Sequence, residues 1–335
     1  MTNGRRIDKI HQDAIIIDGI LYGPAADSDD YFHQVKEAGI TATNLTVPAI
    51  TDDFIESCEK IKHWQDRVER NPDVLTLALS VFDIEQAKKG GKTAIIMGTQ
   101  NAVHLDEDVK NAGRLHALGV RIMQLTYQRR NSFGAGCGAR IDSGLTGDGK
   151  KLVERLNELG VLVDLSHCGH ETSMEAIKLS RKPCAFTHAN SRVLCEHPRN
   201  KTDREIKALA AKGGVIGVVN YAPFIENRDN GGFHTIEEYL DVMEYLVKLV
   251  GADHVGLGLD FTPTWTEEDY KEAQAMYPEI YLDYAKDEIP LQGFEDISKV
   301  IKITRGLHTR GYSEEDINKM LGGNFLRLFK EVWGE

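Results

Sequence analysis

Eight apolar, β-branched runs separated by segments of helical period constrain what this chain can fold into more than any other feature. The runs are AIIID (14–18), TATNLTV (41–47), TAIIMG (93–98), VRIMQLT (120–126), GVLVDLS (160–166), CAFTH (184–188), GGVIGVVN (213–220) and HVGLGLD (254–260). Near-continuous apolar runs mark strands covered on both faces, as parallel strands are when helices pack over them. Strand and helix in regular alternation build βα units, and eight units followed by the helical tail GGNFLRLFKEVW favour a (β/α)8 TIM barrel over a doubly wound open sheet. Capping boxes announce several of the helices: Thr202 with Glu205, Thr235 with Glu238 and, in weaker form, Ser313 with Asp316. A ninth run, VLTLALS (74–80), falls between the second and third strands and reads as a decoration or a mis-assigned strand. No low-complexity stretch or Pro/Gly/Ser linker divides the 335 residues, so the expectation is one α/β barrel domain over 1–335 with a C-terminal helical tail.

Composition removes several function classes. The formal charge of −12, with no stripe of Lys and Arg, argues against nucleic acid and anionic membrane as partners. No apolar stretch approaches the roughly 20 residues that span a bilayer, and the opening MTNGRRIDKIHQD lacks the apolar core of a signal peptide, so a cytoplasmic location is expected. Five scattered cysteines do not suggest a disulfide framework. There is no Gly-x-Ser-x-Gly elbow for a serine hydrolase. The glycine-rich SFGAGCGAR (132–140) lacks the Gly-Lys-Ser/Thr ending of a phosphate loop and reads as a flexible βα loop over the site.

In such a barrel the chemistry sits at the C-terminal ends of the strands. The third strand runs into Gln100 and Asn101, the fourth into Tyr127, the fifth into Asp164, His167 and His170, the sixth into His188 and the eighth into Asp260. A lone histidine at a strand end is more often structural than a ligand. Two on adjacent strands, with an aspartate on the eighth, have the composition of an open hydrolytic zinc site. His170 opens the next helix and is expected at the surface, Cys168 should point away from its neighbour by strand alternation, and His197 is a loop residue.

The chain resembles the renal or membrane dipeptidase family of the amidohydrolase superfamily over nearly its whole length. The resemblance rests on GLTGDGKKLVERLNELGVLVDLSHCGHETSMEAI, CAFTHANSRVLCEHPRNKTDREIKALAAKGGVIGVV, VGLGLDFT and the closing GGNFLRLF. That family hydrolyses dipeptides with two zinc ions bridged by a hydroxide. The resemblance implies that His167 and His188 ligate one metal, that Asp260 ligates metal and handles the proton, and that Arg199 in HPRN grips the substrate carboxylate. Three family positions do not match. Its His-x-Asp after strand one falls on Ile20 and Tyr22, its bridging glutamate on Gln100, and a strand-four histidine that holds the reacting carbonyl on Tyr127.

An isoleucine cannot coordinate a metal, and a phenol with a pKa of about 10 is an unusual ligand. One of the two metal positions is therefore expected to be lost. Losing the carboxylates at positions 22 and 100 removes two negative charges and so offsets the loss of one dication, which a randomly decayed site would not do. The expected enzyme is a dipeptidase-like metallohydrolase with one Zn2+, held by His167, His188 and the Gln100 amide. Asp260 acts as proton carrier, Tyr127 donates to the oxyanion, and Arg199, Tyr22 and Asn131 bind a small carboxylate-bearing substrate. Two alternatives stand beside it: a lyase, decarboxylase or isomerase on the same scaffold, and a metal-free binding protein in which the two imidazoles clasp Asp260. A homodimer is compatible with the apolar faces of MEYLVKLV and FLRLFKEVW.

Overall fold

The computed structural model describes residues 3–225, 234–281 and 286–334. All eight runs form strands: β1 Ile16–Tyr22, β2 Ile40–Thr46, β4 Thr93–Thr99, β5 Val120–Gln124, β6 Leu162–Asp164, β7 Ala185–Phe186, β8 Val215–Val218 and β9 Val255–Leu257. Every pairing is parallel, and the ring closes where Asp18 pairs with Leu257 and where β2 pairs with β4 from Ala42↔Ala94 to Thr46↔Gly98. The chain is thus a closed (β/α)8 barrel with helices outside it. The ninth run is a real but short strand, β3 Leu75–Leu77, paired with the first half of β4. Since β2 occupies one edge of β4, β3 and β5 share the other, β3 at its start and β5 from Met97 onward. The expected capping boxes at Thr202 and Thr235 form, and Ser313 caps its helix without completing a box. No described helix is long and apolar enough to cross a membrane.

The N-terminal end of the barrel is closed by apolar packing. One small cluster gathers Ile17, Ala42, Ile96, Ile122, Leu162 and Val215 from the strands with Phe325, Leu328 and Phe329 of the helix Asn324–Trp333. Gly256 on β9 makes room for this plug, because a Cβ there would lie 2.7 Å from the Phe325 ring. Filling the barrel mouth with two stacked phenylalanines is worth several kcal/mol per ring, about 3–5 for truncation of one to alanine.

Higher in the barrel, backbone replaces side chains. A Cβ at Gly19, Gly217 or Gly258 would lie 2.3, 2.1 or 2.2 Å from the carbonyl oxygen of Thr187. Three glycines from different strand segments therefore let the chain beyond β7 swing inward after only two ladder residues. The next residue is His188, which this detour buries completely.

Candidate functional site

At the centre of the rim the two histidine rings meet. The Nε2 atoms of His167 and His188 are 2.9 Å apart, and the Gln100 amide nitrogen is 3.1 Å from His188 Nε2. Behind His188, its Nδ1 lies 2.8 Å from Thr187 Oγ1, whose own hydrogen goes to Asp164 Oδ2 at 2.8 Å. Ser166 Oγ donates to the other Asp164 oxygen at 2.6 Å. With the threonine hydrogen committed to the carboxylate, His188 Nδ1 must carry the proton, and its Nε2 presents a lone pair to His167. Burial, with the positive charges of Arg199 and Lys201 nearby, holds both imidazoles well below their ordinary pKa. Both are neutral at physiological pH.

Asp260 stands three residues beyond β9 with φ of +57°, a left-handed conformation that aspartate tolerates better than most residues. Burial lifts its carboxyl to about 6, against the pull of Arg199. Among the described residues it has no hydrogen-bond partner, and the imidazoles bond to each other and to Gln100. The arrangement in which they clasp Asp260 is not what the chain adopts. The residue before Asp260, Leu259, donates its N–H to Asp18 Oδ1 at 2.8 Å, and burial raises the Asp18 carboxyl to about 8.

The other sequence-predicted residues divide. Tyr127 stacks on the His167 ring at 4.2 Å and shares a 2.5 Å hydrogen bond with Tyr281, and burial raises its phenol well above 10. Tyr22 lines the same cavity, its phenol pushed up to about 12 by burial. Ile20 is fully buried. Arg199 does not line the cavity. It is fully buried, with Nη1 donating to Ser166 O at 2.5 Å and Nη2 to His188 O at 2.6 Å while its Nε–H is without a partner among the described residues, so its place behind the rim, not a lack of N–H groups, separates it from the cavity. Asn131 is also away from the cavity: its amide donates to Asn101 Oδ1 and Leu125 O at 2.9 and 2.8 Å, and its oxygen receives the Phe133 N–H at 2.8 Å. Both were expected to touch substrate from their chain positions, but buried backbone carbonyls and loop N–H groups claim their hydrogen bonds first.

Nor does SFGAGCGAR cover the site, since none of residues 132–140 lines the cavity. Cys137 N instead donates to His167 O at 2.8 Å, fastening that loop to the rim from outside. Cys168 is turned to Thr126 Oγ1, and His170 pairs with Glu205 at 3.0 Å, partly exposed. His197 is a buried loop residue whose Nε2 bonds to Ile280 O at 3.0 Å.

The cavity over the rim, about 400 Å³, is closed by a segment the sequence reading passed over. Residues 262–281 follow β9 and contain the helix Glu267–Met276, started by a capping box between Thr266 and Asp269. They bring Trp265, Tyr270, Tyr277 and Tyr281 to the wall, opposite Tyr22, Tyr127, Tyr221 and Phe224. The signal was present as aromatic density in WTEEDYKEAQAMYPEIYLDY.

The residues present offer one place where a divalent cation fits. His167 Nδ1 is buried without a partner. Either it carries the ring's proton, and two lone pairs face each other across 2.9 Å, or it does not and remains an unpaired acceptor. A cation held by the two Nε2 lone pairs would relieve their mutual repulsion, and turning the Gln100 amide over would add an oxygen donor. No group of three His, Cys, Asp or Glu side chains suited to a metal occurs among the described residues, so the set is two imidazoles and an amide. On the β1 side Ile20 is apolar and burial keeps the proton on the Tyr22 phenol, so neither offers an anionic ligand.

Comparison with known proteins bears on the family and the fold. A dipeptidase (tcpJ) of Claviceps purpurea is 28% identical over 281 residues, 83% of this chain and 60% of the relative. An uncharacterized dipeptidase of Schizosaccharomyces pombe is 30% identical over 249 residues, 73% of this chain and 54% of the relative. The chain thus spans little more than half the length of these fungal relatives. Among solved structures, an amidohydrolase from Pseudomonas aeruginosa superposes with a TM-score of 0.89 at 33% identity, covering 98% of this chain and 99% of that one. A metallo peptidase from Rhodobacter sphaeroides, liganded with a phosphinate mimic of the dipeptide L-Ala-D-Ala, shares the fold with a TM-score of 0.79 at 20% identity, covering 96% and 100%. The membrane dipeptidase family model, peptidase family M19, matches residues 5–291 and 280–333, and it is to this family that the chain belongs.

Proposed function

We propose that this chain is a cytoplasmic metallohydrolase that cleaves an amide or peptide-like bond in a small substrate, with one divalent cation, zinc in the manner of its family, held by His167, His188 and Gln100. The observation that carries the reading is the pair of neutral imidazole Nε2 atoms 2.9 Å apart at the barrel rim, with a tautomer chain from Asp164 through Thr187 behind one of them. Five cysteines present as thiols rather than disulfides support the reducing compartment.

Bound there, the cation would supply Lewis acidity for the scissile carbonyl and for an attacking water. Asp260, with its carboxyl raised to about 6, is suited to accept a proton from that water and return it to the leaving amine. Tyr127 keeps its phenolic proton and is the donor for developing negative charge, while Tyr281 fixes its hydroxyl. Tyr22 contributes wall and a protonated phenol. Arg199 acts as a positioning residue, clamping Ser166 and His188 so that both imidazoles converge, and Asn131 braces the loop after β5.

The test is metal analysis of purified protein followed by a hydrolysis screen of dipeptides, including those with a D-residue at the C-terminal position. About one equivalent per chain and chelator-sensitive cleavage are expected. Metal-free protein, or turnover indifferent to chelator, would replace this reading with the binding protein or the lyase-type enzyme respectively.

A further inference from the structure

The hydrogen bond between Tyr127 and Tyr281 places one hydrogen between two hydroxyls, and either oxygen can be its donor. The choice decides what the cavity meets. If Tyr127 donates to Tyr281, its proton is spent on a neighbour. If Tyr281 donates to Tyr127, the Tyr127 proton is left to turn into the cavity that both residues line.

Gln128 stands where it can decide between the two. The residue is fully buried and holds φ of +50°, a left-handed conformation that a glutamine keeps only where its surroundings impose it. Here the glycine-rich loop imposes it. Gly138 N donates to Gln128 O at 2.7 Å, Gly136 N donates to Arg129 O at 3.0 Å, and a Cβ at Gly136 would lie 2.3 Å from the Gln128 carbonyl carbon. Cys137 of the same loop gives its thiol hydrogen to Gln128 Oε1 at 3.1 Å. With the amide oxygen so engaged, Nε2 is the end left over. Among the described residues it is buried without a partner at ordinary hydrogen-bond distance, and the Tyr281 hydroxyl is the acceptor next to it. That contact works against the rise that burial gives the Tyr281 phenol, as a donated hydrogen does.

We propose that Gln128 is a positioning residue for Tyr127: its Nε2–H donates to the Tyr281 oxygen, the Tyr281 hydrogen goes to Tyr127, and the Tyr127 proton is the one offered to substrate. The loop SFGAGCGAR thereby serves the site from behind the rim. The inference rests on the proposed hydrolytic site, in which Tyr127 is the donor to developing negative charge.

Side-chain amide resonances of the isotope-labelled, full-length protein read the first link. The Gln128 Nε2 proton, assigned by its magnetisation transfer to the Tyr281 ring, should be protected from exchange and should move upfield in Tyr281→Phe, which removes its acceptor. A Gln128 resonance that Tyr281→Phe leaves in place would overturn the inference. Kinetics with any dipeptide that is cleaved reads the last link. Gln128→Met should lower kcat about 3- to 12-fold, the contribution of one neutral hydrogen bond, with KM within about threefold. In the Tyr281→Phe background the same change should cost less than about twofold, because there is no longer a hydroxyl for Gln128 to orient. An equal loss in both backgrounds would mean that Gln128 acts through packing alone, and an unchanged kcat that it does not act on Tyr127; either result overturns the inference. The two proposals fail separately. If no dipeptide is cleaved, the hydrolytic reading falls while the amide resonance still decides whether Gln128 directs the hydroxyl pair.

Discussion

The two sides of the barrel rim have been built to different rules. On the β6–β7 side polar groups hold one another: Arg199 clamps two carbonyls, Asp164 holds Ser166 and Thr187, and Thr187 orients His188, while His167 Nδ1 is left without a partner among the described residues. On the β1 side the corresponding positions are a buried isoleucine and a protonated phenol, and the one carboxyl group, Asp18, is kept neutral by burial. On the proposed reading, in which this side has given up a metal position, the difference teaches that the charges of the ligands leave together with the ion. An anionic ligand left at position 22 or 100 without its cation would cost several kcal/mol of uncompensated burial.

If the β6–β7 side alone holds the ion, His188→Ala should abolish metal retention and lower kcat/KM by about 10³-fold or more, measured by elemental analysis and initial rates. The comparison sharpens in the opposite direction with the triple change Ile20→His, Tyr22→Asp and Gln100→Glu, which should raise the metal content from about one equivalent to two. A triple variant that still binds one would mean that the β1 side differs by more than its ligands.

Asp260 joins the two sides, and Asp260→Asn should reduce kcat by about 10²- to 10⁴-fold, the usual contribution of a positioned proton carrier. Because the carboxyl must be ionised to accept a proton and burial lifts it to about 6, wild-type kcat/KM should rise with pH up to about 6 and level off above it. An acid limb centred near the ordinary aspartate value would show that the buried environment does not act on catalysis.

Asp18 offers a stability test of the β1 side. Its folded-state pKa of about 8 lies above the unfolded value, so the folded protein binds the extra proton between these limits and loses stability as pH rises from about 4 to about 8. Asp18→Asn keeps an acceptor for the Leu259 N–H and removes the titration. It should be more stable than wild type at about pH 8, by on the order of a few kcal/mol, with little difference at about pH 4 in urea unfolding. The smallest effect is expected from Tyr22→Phe, which leaves the ring in the wall and should change metal content not at all and kcat/KM by about threefold or less. A larger loss would return Tyr22 to the reacting centre.

Much of this arrangement was legible in the chain. Buried parallel strands need uninterrupted apolar runs, and all eight announced themselves in that way. His167, His188, Gln100, Tyr127 and Asp260 could be named as rim residues because strand ends define the rim. Arg199 and Asn131 lie away from the cavity because a donor's partner is chosen in three dimensions. The carbonyls of Ser166 and His188 lie 33 and 11 residues from Arg199 in the chain, and nothing local marks them as acceptors. The aromatic lid was missed for a related reason, since WTEEDYKEAQAMYPEIY has the charge of an exposed helix and only its place after β9 turns its rings inward.

The sequence by itself determined the barrel, its strand order and the residue types available at its rim, because periodicity and ligand chemistry are local properties of the chain. Only the tertiary structure decided which of those residues face the cavity. Three glycines around one carbonyl bring His188 to the centre, a buried network assigns its tautomer, and hydrogen bonds to Ser166 O and His188 O hold Arg199 behind the cavity. Each of these outcomes depends on groups that are distant in the chain and meet only when the barrel closes.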